Sequence, residues 1–236
     1  IKKKLNADWL NADKIRGKYN DWDFSNSGII RQVKRMKELA EKSKKKYVVA
    51  DFICPLKQQL RIFNPDLLIW VDTIKVSRYP RINKIFQKPK NFDVRVVSKD
   101  ADFWSKIILD RLKPYKWDSR KETSMLLGRW QPFHEGHFHL FLNALKRTDQ
   151  VIFYVKNVHN LGDNPFTFKN VKKRINIKLS KMFKNRYKVE LAPNIVNIIY
   201  GRKVGYNITK INLNRKIQKI SGTNIRKILR KQGNLR

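Results

Sequence analysis

The chain has 236 residues, of which 41% are apolar, and this content is enough for one large domain or two small ones with ordinary cores. No stretch of eighteen consecutive apolar residues occurs, so the sequence predicts no membrane span. Cys54 is the single cysteine, which excludes an intramolecular disulfide and is typical of a reducing compartment; we therefore expect a cytoplasmic protein.

The 54 Lys and Arg residues outnumber the 19 Asp and Glu residues and give a formal net charge of +35. Such a charge commonly indicates a nucleic-acid partner. Here the excess is spread along the whole chain together with many Ile and Asn residues, as expected of an A- and T-rich coding sequence. Arg-Gly repeats and zinc-finger spacings are absent from the sequence. We therefore expect no dedicated nucleic-acid partner, although the positive field would still attract anionic nucleotides.

Strands and helices alternate through the first half of the chain. The apolar patterns predict, in order, a strand in residues 8–24 before an aromatic-rich turn, a helix over 29–41, a strand over 47–52, a helix over 56–63, a strand over 67–71, and a final strand and helix over 94–97 and 101–112. Residues 75–92 are predicted to be irregular. The alternation indicates a parallel sheet covered on both faces, with functional residues at the carboxyl ends of its strands, where Asp13, Pro55 and Asp72 lie.

Three short motifs occur in this half: NADKIR at 11–16, DWDFS at 21–25 and, at the end of a predicted strand, FICP at 52–55. Together they resemble motifs of the adenylylsulfate kinase family of P-loop kinases. The loop G-x-x-x-x-G-K-[ST], which cradles the β- and γ-phosphates in such kinases, is absent from the sequence. In the family this loop precedes the first of these motifs, and the chain opens at Ile1 rather than Met, so we expect that an N-terminal segment is missing from it.

The resemblance assigns roles to five residues of the first half. It implies that Asp13 orients or deprotonates an acceptor hydroxyl, that Arg16 holds the anionic group of the acceptor, and that Phe24 stacks on its base. Ile53 and Pro55, in the strand-end motif, would line the same acceptor site.

Two positions of the first half depart from the family. Ile29 and Gln32 stand where the family usually has Arg and Asn, so an acceptor other than adenylylsulfate stays open. A small-molecule kinase as the main activity of a full-length protein and a docking domain without catalysis are the two remaining interpretations of this half.

Residues 114–123 are polar and charged, and we interpret them as a linker between a domain over 1–113 and a domain over 124–236. The predicted fold class is α/β, with two three-layer parallel-sheet domains. The first would be a P-loop kinase-like domain lacking its N-terminus, and the second a Rossmann-like domain.

The second domain is organised around residues 126–142, LLGRWQPFHEGHFHLFL. A short apolar run ends at Gly128, a turn follows at Pro132, and an apolar-periodic segment carries His134 and His137 at its start. The pattern predicts a strand, a tight loop and a helix. This layout directs two imidazoles and unpaired helix-start N–H groups at one place beyond the strand, and such a place is suited to a phosphate.

Fixed N–H donors can stabilise the charge that grows on the non-bridging oxygens when the α-phosphorus of a nucleoside triphosphate is attacked. The stretch GRWQPFHEGH resembles the H-x-G-H signature of the nucleotidyltransferase superfamily, which includes adenylyltransferases for nicotinamide mononucleotide and pantetheine phosphate and several cytidylyltransferases. The resemblance implies that His134 and His137 stabilise the transition state at the α-phosphate. It places around the nucleotide Gly128, Arg129, Trp130, Gln131 and Gly136.

A second helix start occurs near the end of the chain, where residues 220–229 read ISGTNIRKIL. This segment resembles the C-terminal signature of the same superfamily, which holds the β- and γ-phosphates. The implied contacts to the leaving pyrophosphate are Ser221, Gly222, Thr223 and Arg226. Ser and Thr are also preferred as helix caps whatever the function, which is the alternative interpretation of this segment.

The histidines at i and i+3 could instead form half of a zinc site. The other imidazoles and thiol of the chain are those of His139, His159 and Cys54, so we expect no structural metal site. Mg²⁺ is expected to act with the nucleotide by bridging phosphate oxygens.

Between the two motifs the patterns predict a strand over 150–156, a helix over 171–182, and strands over 187–191 and 195–200. The stretch HNLGDNPFTF contains an Asn-Pro-Phe turn similar to that of nicotinamide-mononucleotide adenylyltransferases. This resemblance places Asn164 and Phe166 near the second substrate, although Asn-Pro is also an ordinary turn starter. Arg202 and Lys203, in the glycine-flanked loop 201–206, are further candidates for contact with a phosphate.

These features predict a nucleotidyltransferase that moves a nucleoside monophosphate onto a phosphorylated small molecule and releases pyrophosphate. The expected donor is ATP, which would supply AMP. The expected partners of this enzyme are the nucleoside triphosphate and the phosphorylated acceptor, with no membrane, and the sequence predicts no oligomeric state. Three alternatives stay open: a small-molecule kinase, a catalytically silent nucleotide-binding protein, and a nucleic-acid binder.

Overall fold

A computed structural model describes residues 1–77, 79–199, 201–202, 205 and 207–235. The chain divides into two compact units, Ile1–Leu109 and Asp110–Arg236. Within the described residues the fold is α/β, all strand pairs are parallel, and no barrel is formed. No helix in this part of the chain has the length and apolar content needed to cross a membrane.

The first unit begins with a pair of parallel strands packed on a long helix. Its first five elements are α1 (Lys2–Leu5), β1 (Asp8–Asn11), α2 (Ala12–Lys18), α3 (Asn26–Glu41) and β2 (Val48–Asp51). Strand β1 pairs with β2, with Asp8 opposite Val48. Helix α3 buries one face through Ile29, Val33 and Met36, as its apolar spacing predicted.

The second half of this unit contains another parallel pair of strands. Its elements are α4 (Lys57–Phe63), β3 (Ile69–Val71), α5 (Pro80–Ile85), β4 (Val94–Val96) and α6 (Ala101–Leu109). Strand β3 pairs with β4, with Ile69 opposite Val94. The described residues of the first unit therefore form two two-stranded parallel sheets. One continuous sheet was expected, but the strands are only three or four residues long.

Two local predictions in the first unit are wrong. The strand in residues 8–24 ends at Asn11, because the Asn11 side chain accepts a hydrogen bond from the Lys14 N–H (3.1 Å) and so caps helix α2. The stretch 75–92, predicted to be irregular, contains helix α5, which has Pro80 at its first position, where a missing N–H costs nothing.

The second unit is built around a three-stranded parallel sheet. Its elements are β5 (Ser124–Gly128), α7 (Glu135–Thr148), β6 (Val151–Lys156), α8 (Phe168–Phe183), β7 (Tyr187–Ala192), α9 (Arg215–Gln218) and α10 (Gly222–Lys231). The strand order is β5-β6-β7, so the central strand is β6. Its first residue, Val151, lies opposite Ser124 on one side and Tyr187 on the other.

Aromatic rings from the central strand and both long helices fill the core of this unit. Phe153 of β6 stacks on Phe141 of α7 (5.6 Å between centroids), and Phe141 meets Phe183 of α8 edge to face (5.1 Å). All three side chains are fully buried. Removing one such ring would cost about 3–5 kcal/mol of stability, so this core fixes α7 and α8 on the sheet.

The strand predicted over 195–200 does not form in the described residues 195–199, and Tyr200 lies outside them. Pro193 follows the end of β7 and has no N–H for a sheet. The Ile195 N–H instead donates to the Pro193 carbonyl (2.7 Å), which closes a tight turn. Val196 and Ile199 are consequently exposed.

The polar segment 114–123 lies within the second unit and is held there by Gln150. Gln150 is completely buried, and its amide donates to the Asp118 carbonyl (2.7 Å) and to the Thr123 hydroxyl (2.6 Å). Its carbonyl oxygen accepts a hydrogen bond from the Tyr115 hydroxyl (3.1 Å). The domain boundaries at 113 and 124 stay a prediction.

Candidate functional site

The loop between β5 and α7 is shaped by Gly128 and Trp130. Trp130 has a left-handed backbone (φ 54°), is buried, and donates its indole N–H to the Tyr154 carbonyl (3.2 Å). A Cβ atom at position 128 would lie 2.9 Å from the Trp130 ring, closer than real contacts allow. Gly128 therefore lets the indole pack under the loop, whereas Arg129 is exposed.

The two predicted histidines stack on each other at the start of α7. Their ring centroids are 3.6 Å apart and the rings are 19° from parallel. The backbone N–H of His134 donates a long hydrogen bond to Nδ1 of His137 (3.4 Å). Because Nδ1 is the acceptor, the proton of a neutral His137 lies on Nε2. A Cβ at Gly136 would lie 3.0 Å from the His134 ring, and its absence leaves room for that ring.

Both imidazoles have a lowered pKa. Burial lowers the pKa of His134, and burial together with the charge of His134 lowers the pKa of His137 to about 3. Both rings are therefore neutral near pH 7 and offer N–H donors without a net charge. Nδ1 of His134 is buried and has no hydrogen-bond partner among the described residues.

The C-terminal motif packs directly on the loop that precedes α7. A Cβ at Gly222 would lie 3.0 Å from the Gln131 carbonyl oxygen, and this carbonyl also accepts a hydrogen bond from Arg226. The carbonyl of Ile217, just before α10, lies 3.7 Å from where a Cβ of Gly136 would be. The two predicted phosphate-binding helix starts are thus brought together at the end of the sheet.

Arg226 has a different environment from the one that the resemblance implies. Its guanidinium is buried and bonds to the Gln131 carbonyl, to the Thr223 hydroxyl (3.1 Å) and to the Asp163 carboxylate (2.8 Å). Ser221 precedes α10, but its side chain makes no capping hydrogen bond to the described backbone. Simple helix capping therefore does not account for Ser221.

The loop 157–168 is fastened to Gln131. The Gln131 amide donates to the Phe166 carbonyl (2.8 Å) and its carbonyl oxygen accepts from the Phe166 N–H (2.9 Å). Asn164 is buried, and its amide donates to the Leu161 carbonyl (2.5 Å). Its Oδ1 is buried without a partner among the described residues. Asn164 and Phe166 thus lie next to the first motif.

Sequence reasoning did not single out Asp163. Its carboxylate accepts hydrogen bonds from Arg226 and Arg230 (2.8 Å each), and these bonds lower the pKa of Asp163 to about 2. The signal was available in the sequence: Asp163 is the one acidic residue of loop 157–168, and the two arginines are four residues apart on one helix face.

Of the two residues last predicted to contact a phosphate, the structure describes Arg202. Arg202 is exposed, and no hydrogen bond or ion pair joins it to another residue that the structure describes. Lys203 lies outside the described residues. Within the described ranges, no three His, Cys, Asp or Glu side chains cluster as ligands for a metal.

In the first unit, the Arg16 side chain bonds to the backbone of the turn that follows α2. Its guanidinium donates to the carbonyls of Asp21 (2.9 Å) and Asp23 (3.0 Å) and lies 4.6 Å from the centre of the Phe24 ring. Burial lowers the pKa of Arg16 despite the nearby Asp21 charge. Phe24 is half exposed and Asp13 is exposed on α2.

The remaining strand-end residues of this unit differ in exposure and in partners. Ile53 is exposed and Pro55 is buried. Asp72 forms an ion pair with Arg95 (2.7 Å), so the negative charge of its carboxylate is already paired with a guanidinium. Gln32 is buried and donates to the Ala12 carbonyl (3.2 Å).

Comparison with known proteins adds one finding. A 47-residue stretch is 38% identical to the nicotinamide-nucleotide adenylyltransferase of Methanococcus aeolicus, and it represents 19% of this chain and 27% of that protein. The chain therefore spans about a quarter of the length of this relative. No family model and no solved structure matches the chain. The similarity indicates a nucleotidyltransferase-like region, while the adenylylsulfate kinase resemblance receives no support from these comparisons.

Proposed function

We propose that the second unit transfers a nucleoside monophosphate to a phosphorylated small molecule and releases pyrophosphate. The preferred donor in this proposal is ATP, which supplies AMP. The observation that carries this proposal is the contact between Gln131, in the loop before α7, and Gly222, at the start of α10, next to the stacked pair His134 and His137. The partial similarity to an adenylyltransferase supports the same class of reaction.

His137 would act through the N–H on Nε2. Because its Nδ1 accepts a hydrogen bond from the backbone N–H of His134, the ring has one orientation and one tautomer before the substrate arrives. A neutral donor fixed in this way can stabilise negative charge on the α-phosphate oxygens without forming a covalent intermediate. The positive end of the α7 helix dipole adds positive potential at the same place.

The start of α10 would receive the leaving pyrophosphate. Ser221 and Thr223 supply hydroxyl groups there, and Gly222 allows the backbone to approach Gln131. Arg226 would set the position of this helix start through its bonds to Gln131 and Asp163. Mg²⁺ would enter with the triphosphate and bridge its oxygens.

The acceptor would lie beside loop 157–168, near Asn164 and Phe166. Arg174 lies 4.4 Å from the centre of the Phe166 ring and brings a positive charge to this side. The relative is named for a nicotinamide nucleotide, so nicotinamide mononucleotide is the first acceptor to test.

The test is pyrophosphate release from ATP or CTP with a panel of phosphorylated acceptors. His137→Ala should lower turnover by about 10²-fold, the size of losing one transition-state donor. His139→Ala removes an imidazole two residues further along the same helix and should keep ordinary turnover. Undiminished turnover in His137→Ala, or no pyrophosphate release by the wild type with any pair, contradicts the proposal; nucleotide binding without release would indicate a silent binding protein.

A further inference from the structure

Loop 157–168 is held at two separate points. At one, the Gln131 side chain forms a reciprocal pair of hydrogen bonds with the Phe166 backbone (2.8 and 2.9 Å), and both groups are buried. At the other, the Asp163 carboxylate bonds to helix α10. The loop therefore contacts both predicted phosphate-binding motifs.

The second attachment uses both oxygens of Asp163. Oδ2 accepts from Nε of Arg226 (2.8 Å) and lies equally close to its Nη2, while Oδ1 accepts from Arg230 (2.8 Å). The Arg226 side chain is only 10% exposed, whereas those of Asp163 and Arg230 are 43% and 42% exposed. A buried guanidinium beside a carboxylate forms a strong and directional pair, which defines the orientation of both groups.

We propose that Asp163 is a positioning residue that holds loop 157–168 against the start of α10, so that the acceptor side and the pyrophosphate side of the site assemble together. This inference rests on the proposed function. Arg226 is the shared element, because its remaining nitrogens bond to the Gln131 carbonyl and the Thr223 hydroxyl. The low pKa of Asp163 keeps its carboxylate charged throughout the pH range of an assay.

The arrangement predicts unequal effects on the two substrates. Without the charge of Asp163, loop 157–168 loses its attachment to α10. The acceptor then has to order this loop when it binds, which weakens acceptor binding. Arg226 keeps its bonds to the Gln131 carbonyl and the Thr223 hydroxyl, so the start of α10 stays in place and binding of the triphosphate is not weakened. A general loss of stability would instead reduce the active fraction and leave both KM values unchanged.

The kinetic test uses Asp163→Asn in the full chain. We expect the acceptor KM to rise about tenfold, the scale of losing one charge-assisted hydrogen bond, while the ATP KM stays constant. Glu190→Gln removes an equal charge from the exposed face of β7 and should change neither KM. Arg230→Gln should give an intermediate effect, since Arg226 still holds Oδ2. Equal changes of both KM values, or none in Asp163→Asn, overturn the proposal.

Hydrogen exchange of the ligand-free protein tests the attachment without any activity. In Asp163→Asn the amides of Asn160, Leu161 and Asn164 should exchange several-fold faster, whereas that of Phe153 in β6 should not change. Glu190→Gln should exchange like the wild type. Identical loop exchange in Asp163→Asn and wild type refutes the attachment. If the wild type releases no pyrophosphate, the proposed function fails, and the exchange result alone decides the role of Asp163.

Discussion

His137 combines three features that together define its chemical state. Its ring is stacked on His134, its Nδ1 accepts a backbone N–H, and burial holds its pKa near 3. A histidine with an ordinary pKa would be a mixture of charged and neutral forms near pH 6.5. His137 is instead uniformly neutral at that pH, and a single neutral donor is what the proposed reaction requires.

The same pKa predicts how stability depends on pH. Unfolded His137 has an ordinary pKa near 6.5 and the folded residue about 3, so the unfolded state binds more protons between these values. The stabilising contribution of the neutral ring is present above pH 6.5 and is lost as pH falls toward 3. Urea unfolding should therefore show stability decreasing with falling pH, by up to about 1.4 kcal/mol per pH unit for this residue.

The variant His137→Phe separates this effect from the titration of other groups. Because phenylalanine does not titrate, the variant should lose less stability than the wild type between pH 7 and pH 5. Above pH 7.5 His137 is neutral in both the folded and the unfolded wild type. The free energies of unfolding of the two proteins should therefore change with pH in parallel. Equal slopes in the acid range would mean that burial does not depress the pKa of His137.

Single-residue chemistry was only partly predictable from the sequence. The pairing of His134 with His137 followed from their spacing at a helix start, and the structure stacks them. The partners of Arg226 could not be predicted in the same way. Residue type and position show that a guanidinium is near a helix start, but its choice of Asp163 and the Gln131 carbonyl depends on contacts between distant segments.

At the scale of elements, strongly patterned segments were predictable and weakly patterned ones were not. The strand over 150–156 is observed as β6, and the strand over 187–191 as β7, each within one residue at either end. The strand over 195–200 was wrong for its described residues because Pro193 diverts the chain into a turn. Local apolar pattern alone does not show whether a neighbouring strand is available to pair.

The polar segment 114–123 supplies an element-scale prediction. Gln150 is fully buried and bonds to Tyr115, Asp118 and Thr123, so it holds this segment on the sheet. Gln150→Leu leaves those polar groups without their partner and should lower the free energy of unfolding by about 2–4 kcal/mol.

Chemical denaturation and brief trypsin digestion both test this change. Segment 114–123 contains Lys116, Arg120 and Lys121, none of which precedes a proline, and cleavage there should become faster in Gln150→Leu. Gln232→Leu, a similar substitution at an exposed position after α10, should unfold and digest like the wild type. Unchanged stability in Gln150→Leu would show that the buried amide contributes nothing net.

At the scale of the whole molecule, the dominant property is the net charge of +35. A charge of this size creates a positive potential that raises the local concentration of anions around the protein. A nucleoside triphosphate is strongly anionic, so the field should assist its binding whatever the detailed contacts in the site. Dissolved salt screens such a field over a distance of about 10 Å at 0.1 M.

Steady-state kinetics in a KCl series can measure this contribution. Between roughly 50 and 300 mM KCl the triphosphate KM should rise several-fold while kcat changes little, because screening weakens capture and leaves the contacts at His137 in place. Sucrose at matched osmolality should leave KM unchanged. A KM that is independent of salt would mean that the distributed Lys and Arg residues give no steering. Steeply salt-dependent retention on immobilised DNA or RNA would instead favour the nucleic-acid binder, because counterion release is the signature of contacts with a nucleic-acid backbone.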